Sequence, residues 1–467
     1  MDWETLRKSI KGTVVTSNTP EFSSVRESMV WNNIKPDRTP DVIVTVKDEK
    51  DVIEAVNFAR DSGLKVVVHG GGHTWCGLAL RNGGMTIDLS ELNESTIDKE
   101  AEKAVIQPVI SNRELAHRLG EYGLAFPIGH CPTVKAGGYL LNGGMSWNLS
   151  EWGPACRSVE AIEFVTADGK LIKASSEEYA DLFWAARGCG PGMFAVAVRF
   201  HLKCYPLPQA IQCSNYYYSL DDLKPVVEEV VALGWTMPAF VELSIFLIQA
   251  PHELKDRCKK HNGMLCMITA VAFSNTHEEG IAALNILEKG EQVAKCLSKT
   301  IHVPTDFAEL AEASGATWPE NHRNLCENQG SKANPVDILM ALRDKIAEAP
   351  SSKSVIVFCQ STGKHNLIRP QDDVALSMDA QSYGGIWSIW ENAKDDAANL
   401  QWHNQCVDIL KQFTNSHYIG ETDIVQDNAR VKRSYSPEKW QKLEHIRAKY
   451  DPEGVFFGFL GGIEPSK

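Results

Sequence analysis

Two nucleophilic side chains, His73 and Cys131, each lie in a loop built largely of small residues. His73 follows three consecutive glycines at 70–72, which come directly after the apolar run of residues 66–68. Successive backbone N–H groups on a glycine turn form a nest that binds anions such as a diphosphate. A neutral imidazole or a thiolate at the edge of such a nest can attack an electrophilic atom of the bound molecule. The pattern therefore predicts a ligand-binding surface with two reactive side chains, in preference to a set of ordinary turns.

Glycine clusters recur on both sides of these residues. The further clusters are Gly77, Gly83–Gly84, Gly137–Gly138, Gly143–Gly144 and the stretch 187–192. Glycine lets a backbone approach a ligand closely, so their recurrence also favours a cradle for a ligand. The fingerprint GxGxxG does not occur in a credible strand–helix context, which argues against a Rossmann dehydrogenase.

Three segments carry a resemblance to a known family. They are VVVHGGGHTWCG at 66–77, GHCPTVKAGGYLLNGGMSW at 129–147 and ADLFWAARGCGPGMFAVAVRF at 180–200. On these segments the chain resembles the FAD-linked oxidoreductases of the vanillyl-alcohol oxidase fold, in the berberine bridge enzyme-like branch. The resemblance spans about residues 36–207 and resumes at about 415–460. It implies a PCMH-type FAD-binding domain.

The resemblance also implies that FAD is held covalently. In this family a histidine at the position of His73 is bonded to the flavin 8α methyl group. In a subset, the cysteine of a G-x-C-x-x-V motif is bonded to flavin C6, and Gly129, Cys131 and Val134 match that motif. The alternatives are a hydrogen-bonded polar histidine at His73 and a buried structural thiol at Cys131. The residues expected to contact FAD are His73, Cys131, Gly70, Gly71, Gly72, Val134, Gly137, Gly138 and Gly143.

The resemblance gives three candidates for the base that accepts a substrate proton. Tyr418 and Glu421 come first, because they occupy the segment that faces the flavin in the family, and Tyr139 comes third. The alternative for each is a hydrogen-bonded supporting group. Trp387 and Trp390, on a strand-like run, are expected to wall the substrate pocket, although aromatic stripes more often belong to the core.

Five positions depart from the family pattern. Lys135 replaces a frequent Gly, Arg157 an Asp, Met145 a Tyr, and Gly420 an Asn, and Glu421 is a further departure, since it stands where the family has a second Tyr. These positions are expected to lie where substrate meets flavin, with Met145 in the substrate pocket, so the base and the substrate stay open. Val134 follows the family's oxidase pattern, in which a small valine is associated with reaction with dioxygen and a leucine with dehydrogenases. Two further cysteines in glycine loops, Cys76 and Cys189, match no attachment position and are interpreted as structural.

The secondary structure that must position these residues differs between the first and the later parts of the chain. The β-branched run 42–46, the helical spacing over 50–62 and the run 65–68 predict an α/β unit with a short parallel element. Beyond residue 206, strand-like runs at 239–248, 264–273 and 354–359 alternate with helical stretches, and a last helix is predicted at 437–450. The expected fold is α+β, with a two-subdomain PCMH-type FAD-binding domain and an α+β substrate domain that has a mainly antiparallel sheet. The expected divisions are a lead-in at 1–35, the FAD-binding domain at 36–207, the substrate domain at 208–410 and a C-terminal segment at 411–467 that returns to the FAD-binding domain.

The composition of the chain argues against several classes of binding partner. The chain has 467 residues and a formal net charge of -13, from 47 basic and 60 acidic residues, which argues against nucleic acid. No secretory signal and no apolar run long enough to span a membrane is seen. The final residues, EPSK, are not a peroxisomal signal, and a cytoplasmic location is expected. Twelve cysteines without paired CxxC spacing are expected to be free thiols, with no metal site.

The resemblance leads to three hypotheses about function. The first is an oxidase that transfers a hydride from an alcohol, amine or sugar-like secondary metabolite to covalent FAD, with dioxygen as the acceptor and H2O2 as the product. The second is a dehydrogenase or oxidative cyclase of the same fold with another acceptor. The third is a flavin- or ligand-binding protein whose active site has degenerated. The sequence leaves the substrate and the oligomeric state open.

Overall fold

The β-branched runs in the first ninety residues form a four-stranded sheet in the computed structural model, which describes residues 1–369 and 371–459. In spatial order its strands are Thr13–Thr16, Val42–Thr45, Met85–Asp88 and Val66–His69. The two strands of the predicted parallel unit both run parallel to Met85–Asp88, which lies between them and was not predicted. Thr13–Thr16 pairs antiparallel with Val42–Thr45. The segment expected to be a lead-in thus supplies an edge strand of this sheet.

Three helices accompany the first sheet: Trp3–Ser9, Phe22–Ser28 and Glu49–Asp61. The last of these matches the predicted helical spacing to within a residue. It begins after Asp48, whose side chain accepts hydrogen bonds from the backbone N–H groups of Lys50 and Asp51. Its apolar face, which includes Val52 and Val56, is fully buried. This helix fixes the connection between two of the parallel strands.

The second sheet has five antiparallel strands. In spatial order they are Ser95–Asp98, Lys103–Ile106, Val196–Lys203, Val159–Val165 and Leu171–Ser175. A short pair, Leu124–Ala125 and Tyr205–Pro206, lies beside it. The accompanying helices are Asn112–Gly120, Ala136–Asn142, Leu149–Trp152 and Ala180–Ala186, with single turns at Ala155–Ser158 and Gly190–Gly192. The loop that contains Cys131 leads into Ala136–Asn142.

The third sheet has eight antiparallel strands and lies beyond residue 209. In spatial order they are Ser298–Thr305, Ala210–Tyr218, Met264–Ser274, Val241–Gln249, Val355–Gln360, Ser382–Trp390, Arg323–Ser331 and Ser416–His417. The helices of this region are Leu223–Gly234, His277–Glu288, Phe307–Thr317, Pro335–Ala347 and Asp396–Leu410, with single-turn or 3-10 segments at Leu220–Asp222, His252–His261, Glu291–Lys295 and Ala393–Asp395. The expected antiparallel sheet is confirmed.

Alternation along these strands divides the third sheet into two faces. On Val241–Gln249, for example, Leu243, Ile245 and Leu247 are fully buried in one apolar cluster with the helices. The residues between them belong to the opposite face of the sheet, because successive side chains in a strand point to opposite sides. That opposite face is free of helices from this cluster and forms one wall of a cavity.

The C-terminal part of the described chain returns to the first sheet. It contains the helices Ala429–Arg433 and Pro437–Tyr450, the second of which has the predicted bounds. Beyond them, the N–H of Val66 donates to the carbonyl of Val455 at 2.7 Å, and the N–H of Phe457 donates to the carbonyl of Val66 at 2.9 Å. Residues 460–467, with the EPSK sequence, lie outside the described residues. No helix in the described ranges is long and apolar enough to cross a membrane.

A buried ionic cluster fixes the segment 418–423 to the third sheet. Glu327 accepts hydrogen bonds from Arg430 at 2.7 Å, from His417 at 2.8 Å and from the hydroxyl of Thr422 at 2.9 Å. Burial alone would raise the pKa of Glu327, but these hydrogen bonds and the Arg430 charge outweigh it and lower the pKa. The carboxylate is therefore ionised and compensated, and it holds the turn that contains Glu421.

Removing the guanidinium from this cluster should destabilise the fold. We expect Arg430→Met to lower the free energy of unfolding by about 3 kcal/mol at neutral pH, because it leaves a buried carboxylate undercompensated. The matched control is Arg433→Met, which removes a half-exposed partner of Asp427 and should cost less than about 1 kcal/mol. Denaturant unfolding of both variants measures the difference. Equal losses of unfolding free energy in the two variants would contradict this account. Since the folded-state pKa of Glu327 is lowered, the contribution of Glu327 to stability should persist at neutral pH and disappear only as the pH falls through that pKa.

Candidate functional site

A cavity of about 340 Å³ lies between the glycine loops of the first 200 residues and the face of the eight-stranded sheet opposite the Leu243 cluster. All three segments that carry the family resemblance contribute to its lining. The segment around Tyr418 and the returning residues Phe456 and Phe457 complete the wall. The cavity thus brings together parts of the chain that are far apart in sequence.

His73 lies at the end of the glycine turn, in the lining of the cavity. Its Nε2 is 3.1 Å from the hydroxyl oxygen of Thr133, and the ring of Trp31 stacks on the imidazole with centroids 4.9 Å apart. Burial, with a smaller effect of the Lys135 charge, lowers the pKa of His73 to about 3. The imidazole is therefore neutral at physiological pH, which is the nucleophilic form.

Cys131 contacts the same hydroxyl group. Its Sγ is 3.6 Å from the Oγ1 of Thr133, and its carbonyl accepts a hydrogen bond from Asn112 at 2.9 Å. Burial raises the pKa of the Cys131 thiol, and the hydrogen bond with Thr133 partly offsets that rise. The structure brings the two predicted attachment residues to one side chain, Thr133. Thr133 was not predicted, although its position between Cys131 and Val134 was a signal.

The predicted glycines divide into those that line the cavity and one that does not. Gly70, Gly71, Gly72, Gly137 and Gly138 all line it. A Cβ added at Gly70 or Gly138 would meet no other atom within 4 Å, so the side of the backbone that faces the cavity is open to a ligand. Gly72 has φ +67° and lies against the carbonyl of Met29, where a side chain would be both strained and blocked.

Gly143 was predicted to contact the cofactor, and the structure places it away from the cavity. It ends the helix Ala136–Asn142 and lies outside the cavity lining. A Cβ at this position would meet the side chain of Leu376 at 3.0 Å. Its glycine is explained by helix termination at φ +115° and by this close packing.

The residues that depart from the family pattern lie in different parts of the structure. Lys135 lies over Gly71, since a Cβ on that glycine would be 2.3 Å from the Cγ of Lys135. Lys135, Met145 and Gly420 line the cavity. Arg157, by contrast, is exposed and lies outside the cavity lining, so its replacement of an acidic residue does not bear on the site.

The sheet wall of the cavity has a polar end and an apolar end. Strand pairing places Thr269, Ser244, Cys359 and Tyr383 in one row across four neighbouring strands. The next row on the same face contains Phe246, Val357 and Asn328, and the row after that contains Trp387. Since a strand rises by about 3.3 Å per residue, roughly 13 Å separate the positions of Tyr383 and Trp387 along their strand.

A chain of four indole rings forms the apolar end. Trp31 contacts Trp75, Trp75 contacts Trp387, and Trp387 contacts Trp318, with ring centroids 5.5, 4.9 and 5.2 Å apart. All four line the cavity. Trp390, which was expected beside Trp387, does not line the cavity. It is buried, and its Nε1 donates a hydrogen bond to Asp396 at 2.7 Å. Trp390 is on the opposite face of the strand, because its position differs from that of Trp387 by an odd number of residues.

Glu421 lies at the polar end, and one of its oxygens is fully engaged. Its Oε2 accepts a hydrogen bond from the Nδ2 of Asn328 at 2.9 Å and a short one from the hydroxyl of Tyr383. Within the described chain, Oε1 has no hydrogen-bond partner. Burial raises the pKa of Glu421, and the hydrogen bonds from Tyr383 and Asn328 offset part of that rise. Tyr383 and Asn328 were not predicted, because the strands that hold them are far from Glu421 in sequence.

The two tyrosines proposed as bases differ in how their hydroxyl groups are used. The Tyr418 hydroxyl oxygen accepts a hydrogen bond from the N–H of Gly144 at 3.1 Å, and its ring packs edge-on against Tyr383. The Tyr139 hydroxyl donates to the carbonyl of Pro127 at 2.9 Å. Burial raises the pKa of both hydroxyl groups. Tyr139 lines the cavity, but its hydroxyl is committed to the backbone, which argues for a supporting role.

A second carboxylate in the cavity wall is paired with a histidine. The Oε1 of Glu242 is 2.7 Å from the Nε2 of His130, and its Oε2 accepts a hydrogen bond from the N–H of Asn148 at 2.9 Å. The His130 ring packs on Trp147 with centroids 4.0 Å apart. This pair links the Cys131 loop to the eight-stranded sheet. Apart from the histidine next to Cys131, no sequence pattern indicated this pair.

The residues around the cavity fit an FAD group. Open glycine backbones at Gly70 and Gly138 can approach a diphosphate or a ring, and His73 and Cys131 reach one position from two loops. Asn328, Trp318 and Trp387 also carry buried polar atoms without a partner in the described chain, which a bound group can satisfy. The lining is otherwise largely apolar, as suits a flat aromatic ring system.

Comparison with known proteins agrees with this fit. Residues 40–175 match a family model described as an FAD binding domain. The FAD-linked oxidoreductase ptmO of Penicillium ochrochloron is 27% identical over 440 residues, which cover 93% of this chain and 93% of that protein.

Solved structures share the fold at low sequence identity. The 6-hydroxy-D-nicotine oxidase of Arthrobacter nicotinovorans superposes with a TM-score of 0.82 at 21% identity, covering 98% of this chain and 99% of that one. Phl p 4, described as a glucose dehydrogenase, superposes with a TM-score of 0.80 at 18% identity, covering 100% of this chain and 99% of that one. A variant of it with valine in place of an isoleucine is described as a glucose oxidase.

The matched FAD-binding domain, the relatives aligned over most of the chain and the shared fold agree with one another. The chain is an FAD-linked oxidoreductase that shares the fold of these solved structures.

Proposed function

We propose that this protein is an oxidase that takes a hydride from a small organic substrate to FAD bonded to both His73 and Cys131, with dioxygen as acceptor and H2O2 as product. The observation that carries the proposal is the approach of both nucleophiles to Thr133 in the wall of the cavity. When bound, FAD supplies the electron sink for the hydride and passes the electrons to the acceptor. The substrate is an alcohol, an amine or a sugar-like metabolite.

The chain's own residues hold the cofactor in this proposal. The neutral imidazole of His73 is suited to bond the 8α methyl group, and the Cys131 thiol to bond C6 after losing its proton. The glycines at 70–72 and 137–138 allow the backbone to approach the cofactor. The domain divisions expected from the sequence fit this arrangement, with the attachment residues in 36–207 and the substrate wall in 208–410.

We assign the role of base to Glu421. Its Oε2 is fixed by Tyr383 and Asn328, while Oε1 is available to a substrate in the cavity. Because burial raises the pKa of Glu421, its carboxylate accepts a proton more readily than an ordinary one does. Tyr418 is the second candidate, but the raised pKa of its hydroxyl keeps it protonated at neutral pH.

Dioxygen as acceptor is supported by Val134, which lines the cavity three residues after Cys131. In Phl p 4, a valine in place of an isoleucine goes with the change from glucose dehydrogenase to glucose oxidase. The alternative function is a dehydrogenase or oxidative cyclase of this fold. Wild-type Phl p 4, which is described as a glucose dehydrogenase, is an example of a dehydrogenase with this fold. Peroxide formation during turnover separates the two.

Mass spectrometry of the denatured protein tests the attachment. The wild-type protein and each of the single variants His73→Ala and Cys131→Ala should retain the mass of FAD, because one bond suffices, and the double variant should lose it. Cys76→Ala is the matched control, since this half-buried thiol lies in the same glycine loop as His73 without contacting Thr133. FAD retained in the double variant would show that other residues hold it.

Anaerobic reduction of the flavin tests the base. With the best substrate from a panel of alcohols, amines and sugars, Glu421→Gln should slow flavin reduction by about 10²- to 10⁴-fold. In the wild type the rate should rise with pH as Glu421 loses its proton, at a pH above the usual pKa of a carboxyl group, and the Gln variant should lack this rise. Tyr139→Phe is the control, and a loss as large as that of the Gln variant would place the base elsewhere.

Stopped-flow reoxidation in air-saturated buffer tests the role of Val134. We expect Val134→Leu to slow reoxidation of the reduced flavin by about tenfold, which corresponds to ~1.4 kcal/mol of barrier, because the larger side chain restricts the approach of dioxygen. Val134→Ala, which leaves that approach open, should react as fast as the wild type. If the wild-type reduced flavin persists in air, the oxidase proposal fails and the dehydrogenase remains.

A further inference from the structure

The carboxylate of Glu421 differs from those of Glu327 and Glu242 in having no arginine or histidine of the described chain within hydrogen-bonding distance. Glu327 is bonded to Arg430 at 2.7 Å, and Glu242 to His130 at 2.7 Å. Within residues 1–369 and 371–459, Glu421 forms no ion pair, and its hydrogen bonds come from the neutral groups of Tyr383 and Asn328. A buried anion without a counter-charge is costly, so this position is suited to a ligand that brings a positive charge.

The opposite end of the same wall is aromatic. Between Glu421 and the indole rings, the wall is formed by Phe246 and Val357, which share a row of the sheet. Trp387 and Trp75 then present their rings at the far end. Aromatic faces attract cations and pack well on flat apolar bodies. A sugar, with hydroxyl groups on every side, would leave many of them unpaired here.

We propose that the substrate is an organic cation, a protonated amine with an apolar, aromatic body. This inference rests on the oxidase function proposed above and selects one of its substrate classes. The ammonium group lies against the free Oε1 of Glu421, and the body extends over Phe246 and Val357 towards Trp387. One N–H proton passes from the ammonium nitrogen to Oε1, which leaves a neutral amine and a neutral carboxyl group.

Binding of a probe that cannot be oxidised tests the charge preference directly. The probe is benzyltrimethylammonium, and its uncharged carbon isostere is neopentylbenzene, each titrated into the purified holoprotein and followed by the change in the flavin absorption spectrum. We expect the cation to bind at least about tenfold more tightly than the isostere, a difference of ~1.4 kcal/mol.

Three variants locate the source of the preference. Glu421→Gln should abolish the difference between the two probes while the isostere binds as before. Trp387→Leu should weaken both probes, because it removes a packing surface that they share. Glu242→Gln is the matched control: it also removes a cavity carboxylate, but one whose Oε1 already contacts His130 at 2.7 Å, and the preference should remain.

Equal binding of the two probes by the wild type would overturn the inference, even if a variant does not fold. A preference that survives in Glu421→Gln, or one lost in Glu242→Gln, would overturn the assignment to Glu421. These failures are distinct from failure of the proposed function. Retained FAD mass and peroxide release are measured on the same preparations. If both are found but only alcohols or sugars reduce the flavin, the protein is an oxidase with a different substrate.

Discussion

The alternation of side chains along the eight-stranded sheet is the constraint on which the site depends. Each strand commits every second residue to the cluster beneath the helices, as Leu243, Ile245 and Leu247 do. The residues between them are then free to differ in chemistry without loss of the core. A one-residue slip in any of these strands would exchange the two sets. The same burial that stabilises the sheet therefore fixes which side chains face the cavity.

The two walls of the cavity are built on different principles. The cofactor-side wall consists of short loops that leave two small sheets, and its shape depends on glycine and on local hydrogen bonds such as those of Thr133. The opposite wall is one face of the continuous eight-stranded sheet, and it carries both polar and aromatic side chains. This division lets substitutions on the sheet change what is bound while the cofactor side stays intact. The relatives, with modest identity over nearly the whole chain, are consistent with such a division.

How well the sequence predicted the site depended on how local each feature was. His73, Cys131 and the glycine turns belong to short motifs, so their neighbourhood was visible in the sequence, and the helix Pro437–Tyr450 followed from its own periodicity. Tyr383 and Asn328 reach Glu421 only through strand pairing, which no local pattern encodes. The same limit explains the residues that lie away from the cavity: Gly143 ends a helix, and Trp390 is on the other face of its strand, whose register no local pattern encodes.

The bond between Val66 and residues 455–457 has a consequence for how the protein is made. One wall of the cavity joins a strand translated early to a segment translated near the end of the described chain. Local elements such as the helix Glu49–Asp61 can form during synthesis, but contacts of such large sequence separation form slowly and only once both partners exist. The cavity therefore remains open during most of translation. Capture of a large cofactor is then a late event in maturation.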